Sequence, residues 1–267
     1  MFDRYSRARR FSLLLPPLIV GLAGLITSDQ MAEIEWLRVT ELATHGVITP
    51  LFIRSLATLG VLLGVVTLVG GIKLDDLGLD RDYFGRGVGV SVMIWCAAQV
   101  VGVLPRVVAE RPVVLDPVFE HGSRWEISGN FLAALGNATV EEIAFRGFLL
   151  VQLYLLFHAG SKEPARGLGG AVATSLIVAN LAALPRLLPY ASTQAAIESQ
   201  AVLLGIGLFL TWIFLRTKNI FFTIGVHALI ASPTPIVAGP RGGGTWFHPL
   251  VIAILASVWA ILWPSRD

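Results

Sequence analysis

The sequence predicts an all-α polytopic membrane protein with about eight transmembrane helices. Three observations lead there. Of its 267 residues, 55% are hydrophobic and only 14% charged, whereas soluble proteins carry about 25% charged residues. The mean hydropathy is +0.73, too apolar for a globule that must cover its surface with polar groups. The apolar residues also fall into runs long enough to cross a bilayer core, roughly 20 residues at 1.5 Å each. The same numbers exclude other classes. A net charge of +2 gives no electrostatic footprint for nucleic acid, so none is expected as a partner. The single cysteine, Cys96, rules out an intramolecular disulfide and a cysteine-based zinc site. It lies in an apolar run and reads as a small buried apolar residue.

The runs place helical segments at 11–28, 47–71, 87–105, 129–157, 168–184, 195–215, 219–232 and 247–263. The first follows a basic stretch, MFDRYSRARR, which also describes a cleaved signal peptide. No small-residue cleavage site follows, and further apolar segments do, so it reads as a retained helix kinked at Pro16 and Pro17. The seventh is short for a span and reads as a half-helix or re-entrant piece, which must be buried in protein. Trp125, Trp246 and Trp263 lie near segment ends, where interfacial aromatics sit. The glycine-rich AGPRGGGTW at 238–246 reads as a flexible loop, with a lid as the alternative. No internal repeat, heptad pattern or long linker divides the chain, so 1–267 reads as one integral membrane domain.

Lys and Arg in the loops set the orientation. With a cytoplasmic N-terminus, the inner side holds Arg4, Arg7, Arg9, Arg10, Lys73, Arg81, Arg86, Lys162, Arg166, Arg216, Lys218 and Arg266. The outer side holds the smaller set: Arg38, Arg54, Arg106, Arg111, Arg124, Arg186 and Arg241. The expected location is the plasma (inner) membrane. The longer outer segments, 29–46 and 106–128, are mixed in charge and read as loops.

Ionisable groups in hydrocarbon cost several kcal/mol and mark functional sites by default. The fourth segment reads GNFLAALGNATVEEIAFRGFLLVQLYLLF and carries Asn137, Glu141, Glu142 and Arg146; the fifth carries Asn180 and the seventh His227. Glu142 and Arg146 are spaced i, i+4 and can pair on one helix, which offsets part of the cost of both charges. Glu141 lies about 100° round the helix from Glu142. None of its i±3 and i±4 positions holds a cation, so it is the carboxylate placed to act as a general base. Asn137, one turn earlier on the same face, can hydrogen-bond to it. Two plainer readings stay open: the Glu–Arg set as interhelical glue, and His227, Asn137 and Asn180 as ordinary interhelical hydrogen bonds.

The strings EEIAFRG (141–147) and LRTKNIFFTIGVHAL (215–229) resemble the CAAX-type intramembrane proteases, the CAAX protease and bacteriocin-processing or self-immunity family. Glu141, Glu142, Arg146 and Gly147 match its double-Glu motif, and His227 matches the His of its last motif. The resemblance covers about 77–231. It implies an all-α fold of eight helices in which the fourth, fifth and seventh segments enclose a polar intramembrane cavity. It also implies the roles: Glu141 as base on a water, Glu142 and Arg146 as support, and His227 as oxyanion donor. Two positions depart from the pattern. The middle motif, normally Phe, three residues, then His, reads TSLIVANLAAL, which places Leu176 at the Phe and Asn180 at the water-holding His. The Asn of the last motif falls on Ala231. His158 cannot stand in, because it lies about 24 Å along the helix from Glu142.

The function that follows from the resemblance is an intramembrane endopeptidase acting on a membrane-associated protein or peptide. No cofactor and no metal are expected. Catalytic zinc wants three protein ligands, and the membrane segments offer one His and a Glu pair without HExxH. The alternative is a catalytically degenerate member acting as a membrane binding, immunity or chaperone protein. A transporter fits less well, since the charges cluster on one helix and no repeated half is found.

Overall fold

The computed structural model describes residues 13–26, 30–31, 33–116, 119, 124–159, 164–183, 192–236 and 246–263. All regular structure among them is helical. α1 is Leu15–Leu25, α2 Glu35–Ala43 and α3 Pro50–Gly64, which continues as a π-helix over Val65–Val69. After a 3-10 turn at Asp75–Leu77 comes α4, Arg81–Val108. α5, Arg124–Glu142, runs without a break through a π-helix at Ile143–Leu150 into α6, Val151–Ala159. α7 is Pro164–Ala183, α8 Thr193–Thr217, α9 Ile220–Ala231 and α10 Phe247–Leu262.

Local chemistry explains the ends. Thr49, Asp80, Ser192 and Asn219 cap α3, α4, α8 and α9, each side chain accepting a backbone N–H of the first turn. Lys218, left-handed at φ 54°, closes α8, so α9 starts at once in a new direction. Pro16 and Pro17 stand in the first turn of α1, where the missing N–H costs nothing. They start the helix, and the expected kink is absent. α2 replaces part of the loop expected at 29–46.

Four helices among the described residues are long and apolar enough to cross a membrane: Pro50–Val69, Asp75–Val108, Ala165–Ala183 and Gln194–Thr217. α1, α9 and α10 are apolar but shorter. The eight expected segments are thus recovered as helices, and four of them meet the length and composition of a span. Large apolar side chains such as Leu68, Val100, Leu250 and Ile261 face outward, as they do on a protein whose solvent is lipid. Cys96 belongs to that outward face too. It was expected to be buried, but a lipid-facing position is equally apolar. Trp263 is buried between Phe222 and the Arg86 guanidinium, 4.0 Å from its ring centre, and so is not the exposed interfacial aromatic expected. Trp125 and Trp246 are exposed. The glycine-rich stretch falls, Trp246 apart, outside the described residues.

The core has two parts. One surrounds the π-helix, with Leu62, Leu77, Phe145, Phe148, Leu149 and Phe214 buried. The other joins α4, α8, α9 and α10 through Ile94, Leu210, Phe222, Val226 and Ile252. α9, the short segment, sits between α5 and α4; Phe222, Thr223, Val226 and Ala228 on it are fully buried. A short helix at this depth is tolerated because protein surrounds it. Its approach to α4 is close: a Cβ at Gly225 would stand 2.0 Å from Ser91 Oγ and 2.6 Å from Ser91 Cβ.

That contact is testable. Gly225→Ala is expected to destabilise the protein by about 1–3 kcal/mol through overpacking, and Ser91→Gly in the same chain to restore most of the loss. Unfolding midpoints of the purified protein in detergent measure both; equal midpoints for wild type and Gly225→Ala would contradict the packing.

Candidate active site

The π-helix is the local feature on which the site is built. In it the backbone widens, which occurs often at functional sites. Two contacts support it here. Ser175 Oγ of α7 donates to Phe145 O at 3.3 Å. Gly147 has no Cβ, which would stand 2.6 Å from Leu77 O, so the 75–77 turn can lie against the helix.

Glu142 is the last residue of α5, and its side chain is 0% exposed. Arg146 Nη1 donates to its Oε1 at 2.9 Å. His227 Nδ1, from α9, stands 2.7 Å from the same oxygen. Glu142 Oε2 has no hydrogen-bond partner among the described residues. The guanidinium also reaches α8: Nη2 donates to Gly207 O at 3.0 Å and Nε to Thr211 Oγ1 at 3.4 Å. One buried carboxylate and one buried guanidinium thus tie α5, α8 and α9 together.

Glu141 has a different setting. Its side chain is 13% exposed, and it opens onto a cavity of about 60 Å³ shared with Phe145, Arg146, Leu176, Asn180, Gly207 and His227. A water needs about 10–15 Å³ of such space, so a few waters fit. Asn137 Nδ2 donates to Glu141 Oε1 at 2.9 Å. Glu141 Oε2 stands 3.9 Å from His227 Nε2. That gap is too long for a direct hydrogen bond and short enough for one water to touch both. The His227 ring therefore spans the two glutamates, with Nδ1 towards Glu142 and Nε2 towards Glu141.

The structure brings Glu141, Glu142, Arg146 and His227 into one cluster, with Asn180 on the same cavity wall. Asn180 Nδ2 donates to Leu176 O at 2.8 Å, and its Oδ1 accepts from Gln200 Nε2 of α8. Gln200, Thr211 and Ser175 were not singled out from the sequence. None of the three left a clear signal there: Gln200 follows Glu198 and Ser199 at the polar start of its segment, and hydroxyls such as Thr211 and Ser175 are common in membrane helices. Among the described residues, no group of three or more His, Cys, Asp or Glu is placed to hold a metal ion.

Fold and site together define a helical integral membrane protein that holds a Glu–Glu–Arg–His cluster in its apolar interior. Residues 123–232 match the family model described as type II CAAX prenyl endopeptidase Rce1-like. Over these residues the chain is similar to this peptidase family, and the matched segment contains Glu141, Glu142, Arg146, Asn180 and His227. No curated protein and no solved structure gives a significant match.

The buried pair predicts a non-additive result. Arg146→Met leaves Glu142 without its cation and is expected to cost about 3–5 kcal/mol, while Glu142→Gln combined with Arg146→Met costs less than Arg146→Met alone. Folded yield and unfolding midpoint in detergent would show this; a double variant worse than Arg146→Met would contradict it.

Proposed function

We propose that the chain is an intramembrane glutamic endopeptidase that hydrolyses a peptide bond in a membrane-associated protein or peptide. One observation carries the reading. Of the two adjacent glutamates, Glu141 opens onto the cavity and faces His227 Nε2 across a gap of 3.9 Å. The description of the similar family as a prenyl endopeptidase supports a substrate anchored in the bilayer.

In this reading Glu141 takes a proton from a water in the cavity as the water oxygen bonds to the scissile carbonyl carbon. The carbonyl π electrons move to its oxygen. The tetrahedral intermediate collapses with cleavage of the C–N bond, and the proton held by Glu141 passes to the leaving nitrogen. Asn137 orients Glu141 through Oε1, and Oε2 faces His227 Nε2 across the gap in which the water would sit. Glu142 orients His227 through Nδ1, so that the Nε2 side of the ring faces the cavity, where an N–H donates to the oxyanion. Arg146 holds Glu142 and takes no part in the proton transfers. In the same reading the chain lies in the plasma (inner) membrane with about eight spans, and the balance of Lys and Arg supports a cytoplasmic N-terminus.

A second reading rests on two residues. Asn180 stands where the family pattern has His, and Ala231 where it has Asn. Both favour a degenerate member that binds a membrane partner as an immunity or chaperone protein.

Termini of membrane peptides, compared by mass spectrometry between native cells carrying wild-type or Glu141→Ala protein at equal abundance, separate the two. Termini that vanish in Glu141→Ala are the expected outcome. Identical termini, with a phenotype only when the whole protein is deleted, would overturn the peptidase reading in favour of the second.

A further inference from the structure

Asn180 is the cavity residue whose role the family pattern leaves open. At that position the pattern has a histidine that helps to hold and activate water. An amide cannot take up a proton near neutral pH, and here its hydrogen bonds are largely committed. Its carbonyl accepts from Gln200 Nε2. One of its two N–H groups goes to Leu176 O at 2.8 Å. The side chain therefore turns its acceptor towards α8 and keeps one N–H, a donor, for the cavity it lines with Glu141 and His227. Gln200 Nε2 also lies 3.5 Å from the Asn180 backbone carbonyl, so it spans both acceptors of the same residue and opposes a flip of the amide.

An amide N–H on a cavity wall suits a place where negative charge develops, and is the wrong group for drawing a proton from water. The Asn of the last motif, four residues after the His, is here Ala231 at the exposed end of α9; its methyl group can donate no hydrogen bond. We propose that Asn180 supplies the second oxyanion hydrogen bond beside His227, and that Gln200 is the positioning residue that keeps its donor side towards the cavity. As the attacking oxygen bonds to the carbonyl carbon, the carbonyl oxygen gains the electron pair and Asn180 N–H donates to it. Asn180 neither gains nor loses a proton.

The assignment rests on the peptidase reading. The test uses full-length protein in liposomes and a synthetic peptide spanning the junction that wild-type cells cleave. Asn180→Ala and Asn180→Asp should lower kcat by about 10²–10³ with KM little changed. Aspartate keeps the size and removes the donor. Gln200→Met, which leaves Asn180 in place, should lower kcat by about tenfold. Unfolding midpoints check that the variants fold. Wild-type or higher kcat in Asn180→Asp would overturn the proposal, since an added acceptor helps only a water-holding group. Loss confined to KM would overturn it as well. Failure of Glu141→Ala to change any terminus would remove the peptidase reading, and this assignment with it.

Discussion

The buried carboxylate of Glu142 is the group on which the rest of the site depends. It is fully covered, in a part of the protein where an unpaired charge costs several kcal/mol. Two partners meet it: Arg146 one turn along its own helix, and His227 from α9. Arg146 then spends its other donors on α8, at Gly207 O and Thr211. A single charge thereby sets the distances among three helices. Without specific polar contacts such as these, apolar helices in lipid have little to fix their rotation about one another.

The neighbouring glutamates show how position divides one residue type into two environments. Successive residues on a helix are turned by about 100°. Glu142 consequently points into the packed interface, while Glu141 points into the cavity, beside Asn137 on one side and the far nitrogen of His227 on the other. The imidazole couples the two, since whatever Glu142 does to the orientation of the ring decides where Nε2 stands relative to Glu141. The buried cluster and the cavity-facing one therefore share a histidine.

The π-helix through 143–150 lies directly after this pair. Widening of the helix weakens its own hydrogen bonding, and the neighbours compensate: Ser175 donates to Phe145 O, and the 75–77 turn packs against Gly147. The residues that support the site thus come from elements distant in sequence.

Much of the site was legible in the sequence, for a physical reason. Asn137–Glu141 and Glu142–Arg146 are contacts within one helix, so the spacing i, i+4 is enough to derive them, and both are present. The all-helical class follows from composition and run length. The charges inside the fourth segment identify themselves, because hydrocarbon makes an ionisable group conspicuous. What the chain order does not contain is the rotation of one helix against another. That rotation brings Gln200 to Asn180, Thr211 to Arg146, and the two ring nitrogens of His227 to two different glutamates. The same limit explains the smaller corrections. Pro16 and Pro17 start α1 because of where the helix begins, and Cys96 and Trp263 exchange the faces expected of them because an apolar run does not say which side meets lipid. Local periodicity determined which residues could pair within a helix; only packing in three dimensions decided which pairs formed between helices, and which glutamate faces the cavity.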